Sequence, residues 1–550
     1  MIMPLKFIAL SGTISVTENL YVYEYGDQMI VVDCGVGFPD LEMHGVDLVI
    51  PDFSYIVEHK NKLKGIIVSQ GHEDHIGALP FLLREVNTEI WASPLVSEFI
   101  KDKLKEYDAP FGKINTFNPD GNSFKVGIFE IHPFRVTHSV PDTVGFAIDT
   151  PQGRVFHVPE HKMDQNPVDR MPFDIERAKF LAGKGLLFLA SDCLGANRPG
   201  FTRGERQIEE NIFKIVEKAK ESVFFTAISS NIGRFQQAVN VAQRCNRKVT
   251  FVGRSIQKKC EIAHNLGYLR YKSETVISIK ESYNYPPRKL MYITSGCYGQ
   301  VGSSIYRLSL GEHERIRIKK GDTLIFSADP APPYTKESED FVIDNFIEKG
   351  VDVHYYDLNE GLYVSGHGSQ EDIMELFRIA KPRFFIPIGG AIRFMHSYKK
   401  LALRSGAKED WVFELMPGES VIFDKGRARR GEKVKVRAIL VHGLGIGDIG
   451  KIVLGDREIL GKEGVVVTIL TVDKNGRLVG TPKIVSRGFV FEKLSKKLLM
   501  SASENLKKLL LGSKRIDKEK MNKLTTDLLE RFFSKETGRH PMILPVIVEI

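Results

Sequence analysis

His72, Asp74 and His75 set two imidazoles and a carboxylate within four residues, a density of potential ligands that points to a metal. The run Ile66-Ile67-Val68 before them is β-branched and apolar, as a buried strand should be, and it breaks at Gly71 before an apolar helix. Neutral imidazole and carboxylate suit zinc or manganese, and residues crowded at a strand-to-helix turn can all point into one cleft. The plain alternative is a solvated helix start capped by Asp74. Asp33 ends a strand before Cys34-Gly35, where it could orient a ligand or simply form a turn. His138 leaves a strand for the turn at Pro141, Glu160 closes Val155-Phe156-His157-Val158-Pro159, and Leu186 to Ala190 delivers Ser191-Asp192. Four strand ends in succession thus carry acid or imidazole groups, as a metal site assembled by a β-sandwich would.

Several kinds of element must position these groups. From Leu5 to about Val49 short alternating runs separated by Gly and Asp predict antiparallel strands, and Leu79 to Val86 predicts a helix. After Pro199-Gly200 the rhythm changes. From about Glu205 to Tyr355, helical segments such as Ile208 to Lys220 and Phe235 to Cys245 alternate with Val223-Phe224-Phe225-Thr226 and Val249-Thr250-Phe251-Val252, which predicts a small parallel-sheet domain. Leu362 to Gln370 and the strand Arg383 to Ile388 return to the first domain. The basic stretch Lys425 to Lys435 reads as a linker. Beyond it, β character to Phe491 and helical periodicity from Leu494 to Phe533 predict a small C-terminal domain.

With 550 residues the chain is too long for one core, and 42% hydrophobic with 27% charged residues places it among globular proteins. A net charge of +8 permits a polyanionic partner without demanding one. The five cysteines are scattered and never spaced as CxxC, which implies neither a disulfide framework nor a cysteine zinc site and fits a reducing cytoplasm. No apolar run approaches the length of a signal-peptide core or a membrane span.

In the motifs Val31-Val32-Asp33-Cys34-Gly35, Gly71-His72-Glu73-Asp74-His75-Ile76-Gly77, Thr137-His138-Ser139-Val140-Pro141-Asp142, Arg198-Pro199-Gly200-Phe201-Thr202, Ser230-Asn231-Ile232, Val364-Ser365-Gly366-His367 and Thr537-Gly538-Arg539-His540-Pro541-Met542, the chain resembles the ribonuclease J family. This family forms part of the β-CASP branch of the metallo-β-lactamase superfamily. The resemblance covers nearly the whole chain. It implies an αββα metallo-β-lactamase sandwich over 1–204 and 356–424, an inserted β-CASP domain over 205–355, a linker over 425–435 and an α+β oligomerisation domain over 436–550. It further implies an RNA hydrolase with up to two zinc ions, manganese being the alternative, working from the 5′ end and sometimes internally. The partners it implies are RNA and further subunits, as a homodimer, a homotetramer or a hetero-oligomer with an active ribonuclease J.

Carried over position by position, the resemblance puts His72 and His138 on one metal, Asp74 and His75 on the other, and Glu160 between them. Asp74, Asp192 and His367 become catalytic. Ser230, Asn231 and Arg234 become substrate contacts, together with the phosphate loop Val364, Ser365, Gly366, His367, Gly368 and Ser369. Four departures fall on the chemistry: Gln70 and Gly389 stand where the family has ligating histidines, Glu160 where it has an aspartate, and Gly233 where it has a histidine. Two expectations follow, a ribonuclease with weakened metal binding or a catalytically silent RNA-binding subunit paired with an active paralogue. His161 could compensate only by turning against the strand alternation.

Overall fold

The computed structural model describes residues 2–40, 42–328, 335–443, 445–447, 450–490, 495–511 and 517–550. Phe491 and Leu494, which bound the expected β and helical stretches of the C-terminal domain, lie outside the described residues. The chain divides into one unit of Met1–Phe38 with Val49–Ile439 and a second of Pro39–Leu48 with Leu440–Ile550.

Two sheets face each other in the first unit. One has eight strands, in the order Arg427–Arg430, Ser420–Asp424, Leu5–Ser11, Leu20–Tyr25, Gln28–Val32, Leu63–Ile67, Ile90–Ala92 and Ile114–Thr116. The other has six, in the order Pro382–Ile388, Leu186–Asp192, Gly153–Val158, Val144–Thr150, Phe129–Arg135 and Phe124–Val126. Between them Phe7, Tyr23, Phe146, Phe188, Phe384 and Phe423 form a dry core, with the rings of Phe188 and Phe423 stacked 4.4 Å apart. Burying such rings, at about 25 cal/mol per Å² of apolar surface, makes the sandwich a rigid frame. Helices Ile175–Ala182, Gln370–Ala380 and Ile392–Arg404 cover the outer face of the six-stranded sheet.

The strands Leu186–Asp192 and Pro382–Ile388 are parallel neighbours in that sheet. The chain between them builds a five-stranded, all-parallel sheet in the order Lys248–Val252, Leu290–Thr294, Val223–Thr226, Thr323–Phe326 and Asp352–His354. This is the arrangement that the resemblance implies, a βα module inserted between two strands of a sandwich. Its three central strands, Leu290–Thr294, Val223–Thr226 and Thr323–Phe326, are buried on both faces, which is why they read as short continuous apolar runs.

The stretch 425–435, expected as a linker, does not leave the sheet at once. Residues Arg427–Arg430 pair antiparallel with Ser420–Asp424 and form the outer strand of the eight. Arginines on an outermost strand are compatible with pairing on one side only, and they blunt the free edge. In the second unit Val465–Val472 alternates inward and outward and runs parallel to Met542–Glu549, with Lys483–Arg487 on its other side. Helices Lys496–Leu511 and Lys518–Thr537 close one face around Val466, Leu470, Leu506, Leu529 and Phe533.

Candidate metal centre

Strand direction brings the ligands together. Phe129–Arg135, Gly153–Val158, Leu186–Asp192 and Pro382–Ile388 all point the same way, so the residues that follow them meet at one edge. The facing sheet adds the turn after Leu63–Ile67, where His72 precedes the short helix Glu73–Ile76. A Cβ on Gly35 would lie 1.5 Å from the Asp74 carbonyl oxygen, so only glycine lets the Asp33–Gly35 turn approach this helix.

Two groups of three donors result. His72, His138 and Glu160 form one, Asp74, His75 and Glu160 the other, with the ligand atoms of each group within 4.8 Å of one another. Glu160 Oε2 lies 2.9 Å from His138 Nε2 and 3.8 Å from His72 Nδ1, while Oε1 lies 3.3 Å from His75 Nε2. The ring orientations are set from behind. His75 donates Nδ1–H to Asp33 Oδ2 at 2.8 Å, and Asp33 in turn accepts from the Ser69 amide and hydroxyl, both at 2.8 Å. His138 donates Nδ1–H to the Gly366 carbonyl at 2.9 Å. Both rings therefore turn their Nε2 lone pairs inward, the tautomer that a cation requires. The donor set fits a divalent metal at each position, three protein ligands apiece.

The electrostatics agree with a cation site. Burial opposes a charged His75, yet Asp74, Asp33 and Glu160 outweigh it and raise its pKa well above the ordinary value, so the acidic surroundings hold a proton on the ring that a metal at Nε2 would have to displace. Burial drives Asp74 up to about 6, and it drives His72 down to about 4 despite the Glu160 carboxylate, leaving that ring neutral. Against its own burial, Glu160 is held well below the usual carboxylate range by His138 and His75.

Gln70 is fully buried and turns its side chain to the centre. Its Oε1 accepts from the His72 amide at 2.9 Å, and its Nε2 donates to Glu160 Oε2, the carboxylate that both groups share. Gly389 follows the strand Pro382–Ile388 with φ +67°, and a Cβ there would sit 3.8 Å from Asp192 Oδ1. An imidazole at either position would thus border the centre, and neither residue supplies one. His161 does not replace them: it is buried beside Phe173 with no hydrogen bond to either ring nitrogen.

His367 lies next to the centre. Its Nδ1 is 2.7 Å from Asp192 Oδ2 and its Nε2 is 4.0 Å from Glu160 Oε1. Burial works against its charged form, but Asp192 prevails and raises its pKa to about 9. The rest of the expected phosphate loop is largely self-satisfied. The amide of His367 donates to Ser365 Oγ, that of Gly368 to the His161 carbonyl, and that of Ser369 to Thr202 Oγ1 and Asp372 Oδ2. A Cβ on Gly366 would come within 2.5 Å of the His138 ring, so this glycine serves close packing. Val364, half-buried, continues the segment. Of the loop's polar groups the His367 side chain remains turned to the centre, with Arg198, which donates to Ser365 Oγ at 3.1 Å, beside it.

Arg234, expected as a substrate contact, is interior. It donates to Ser327 and the Leu362 carbonyl and pairs with Glu205 at 2.7 Å, while Glu205 also holds Lys162 at 2.6 Å. Lys162 reaches the Ser365 carbonyl at 3.1 Å, so this triad supports the loop carrying His367. Ser230 and Asn231 are buried too, and Asn231 caps its helix by accepting from the Arg234 amide. Asn231 and Gly233 nevertheless line a narrow cavity with His138, Ser139 and Asp142.

Sequence reasoning missed Asn19. Its Nδ2 lies 3.2 Å from Asp74 Oδ2 and 3.1 Å from His75 Nε2, and its Oδ1 accepts from the Tyr21 hydroxyl at 2.8 Å. A single polar residue before a strand carries no signal of such a contact. Glu73 lies inside the motif but outside both donor groups, pairing with Lys103 at 3.1 Å and Lys259 at 3.2 Å.

Comparison with known proteins agrees with this geometry. The family models described as "Ribonuclease J, beta-CASP domain", "Ribonuclease J C-terminal domain" and "Beta-lactamase superfamily domain" match residues 220–346, 452–550 and 28–175. The chain is 31% identical to Ribonuclease J2 of Bacillus subtilis, over 99% of this chain and 98% of that protein. It is 32% identical, with the same coverage, to Ribonuclease J 2 of Staphylococcus saprophyticus and of Staphylococcus aureus. A solved protein of unknown function from Enterococcus faecalis shares the fold, with a TM-score of 0.53 and 12% identity over 76% of this chain and all of that one.

Proposed function

The chain belongs to the ribonuclease J family, and on that premise we propose that it hydrolyses RNA phosphodiester bonds at the Glu160-centred site, 5′→3′ from the end and also internally. The observation that carries this reading is the pair of three-donor groups sharing Glu160, with a charged imidazole alongside. Zinc is the metal we assign, with manganese able to replace it, and His72, His138 and Glu160 would hold one ion while Asp74, His75 and Glu160 hold the other. A bound divalent ion would activate water and neutralise phosphoryl oxygens. The protein supplies the rest. Asp33 and the Gly366 carbonyl fix the ligand rings, and His367, kept protonated by Asp192, donates a proton to the departing ribose oxygen. Ser365 and Arg198, hydrogen-bonded to each other, would border the same oxygens. RNA is the partner in this reading, the cytoplasm its place, and a homodimer, a homotetramer or a hetero-oligomer its assembly.

A second reading is favoured by one contact. Gln70 donates to the carboxylate that both metals need and offers no imidazole in return. In that reading the chain is a silent RNA-binding or scaffold subunit of an active ribonuclease J. Metal content per chain, measured together with cleavage of 5′-monophosphorylated RNA, separates the two. Bound zinc and turnover abolished by Asp74→Ala support the enzyme. No metal and no turnover, with another ribonuclease J copurifying, overturns it.

A further inference from the structure

The inserted domain carries a second concentration of charge, at one edge of its parallel sheet. In a parallel sheet all strands begin at one edge, and here three neighbours, Lys248–Val252, Leu290–Thr294 and Val223–Thr226, are each entered through basic residues. Arg247 precedes the first, Arg288-Lys289 the second and Lys220 the third. Ser230 and Asn231 follow the opposite end of Val223–Thr226, so this edge faces away from the catalytic side of the sheet.

These residues surround a cavity of about 580 Å³, with Phe213 and Glu217 also in its wall. Arg244 at its rim lies over the Phe213 ring at 3.8 Å and pairs with Glu210 at 2.7 Å. The other four cations have no carboxylate within ion-pair distance among the described residues. Arg247 is the telling one. It is 5% exposed, and its guanidinium donates to the carbonyls of Ala219, Glu221 and Leu290 at 2.6, 2.8 and 3.1 Å. Those bonds engage three of its five hydrogens and leave its charge without a carboxylate counter-ion, an expensive condition for a buried group. Helix C-termini nearby account for part of the attraction, since Arg206–Lys218 and Ile232–Arg244 both end here. They do not account for Arg288 and Lys289, which belong to neither helix.

We propose that this cavity binds a phosphate-bearing anion, with Arg247 at its floor, Arg288 and Lys289 closing on the phosphoryl oxygens, and the Arg244–Phe213 pair offering a flat surface to a base. The source is a strand of RNA passing over the domain or a free nucleotide. The proposal is independent of turnover, because it is tested as binding in chelator. Fluorescence anisotropy with a labelled single-stranded RNA, calorimetry with ADP and phosphorus NMR with inorganic phosphate are run on the full chain and on Arg288→Glu/Lys289→Glu. A milder Arg288→Ala/Lys289→Ala variant guards against misfolding. If RNA is the source, affinity falls at least about tenfold and the slope of log affinity against log salt flattens by roughly 2, one per lost phosphate contact. If a nucleotide is the source, ADP and phosphate binding are lost while RNA affinity holds. Wild-type binding of all three probes by both variants overturns the proposal.

Discussion

Single atoms decide what this centre can do. Asp192 keeps a proton on His367, whose pKa of about 9 lies above that of a free imidazole, near 6.5. Proton donation is therefore available throughout the neutral range and is lost only as pH rises through about 9. Asp192→Asn removes the raising charge, so the alkaline limb of kcat should move towards 6.5 or below, with a loss on the order of 10²-fold at neutral pH. A limb that stays in place would assign His367 no acid role. Gln70 offers the complementary test. An imidazole there adds a ligand beside His72 and withdraws the amide donor from Glu160, so Gln70→His should retain more zinc per chain after dialysis, on the order of tenfold tighter, read by elemental analysis. Much of this was legible in the sequence: His72, Asp74 and His75 announce themselves by spacing, and Gln70 by departing from a resemblance. What the amide of Gln70 touches was not, because Glu160 is 90 residues away and only the packed sandwich brings the two together.

At the level of elements, the approach of two turns and one buried triad hold the site in register. Gly35→Ala would drive a methyl into the Asp74 carbonyl, and the short helix Glu73–Ile76 must shift to admit it. Loss of about 1–3 kcal/mol in denaturant unfolding is expected, with metal retention falling alongside. Glu205 stands between Lys162 and Arg234, and although burial opposes its charge, those two cations lower its pKa to about 2. A carboxylate depressed in the folded state stabilises the fold above its unfolded pKa near 4.3, and that stability is lost as pH falls towards 2. Glu205→Gln leaves two buried cations short of a partner and should cost roughly 3–5 kcal/mol while flattening the acid limb of the stability profile. The strands themselves were readable from β-branched runs between Gly and Asp. The outer strand Arg427–Arg430 was not, because its arginines mimic a solvated linker, and nothing local to Arg234, which the resemblance makes a substrate contact, signals that its guanidinium is buried.

Assembly is a property of the whole molecule, and the second unit bears on it. The strand Met542–Glu549 lies at the edge of its sheet, and its alternate residues Leu544, Val546 and Val548 are exposed by 44%, 44% and 42%, followed by Ile550 at 65%. The two long helices pack on the other face, so this row faces outward. An apolar row on a strand with no further neighbour among the described residues is a liability unless another chain covers it. If the expected oligomer uses this face, Val546→Asp/Val548→Asp introduces two carboxylates where a partner's apolar side chains would press. Both side chains already meet water, so the fold should keep its melting temperature within a few degrees. Sedimentation should then show the wild-type chain as a dimer or tetramer and the variant as a monomer at the same micromolar concentration. If the wild-type chain is monomeric alone and assembles only when an active ribonuclease J is added, the face serves the hetero-oligomer, and the variant should lose that partner instead. Unchanged assembly in both mixtures would remove this strand from the interface altogether.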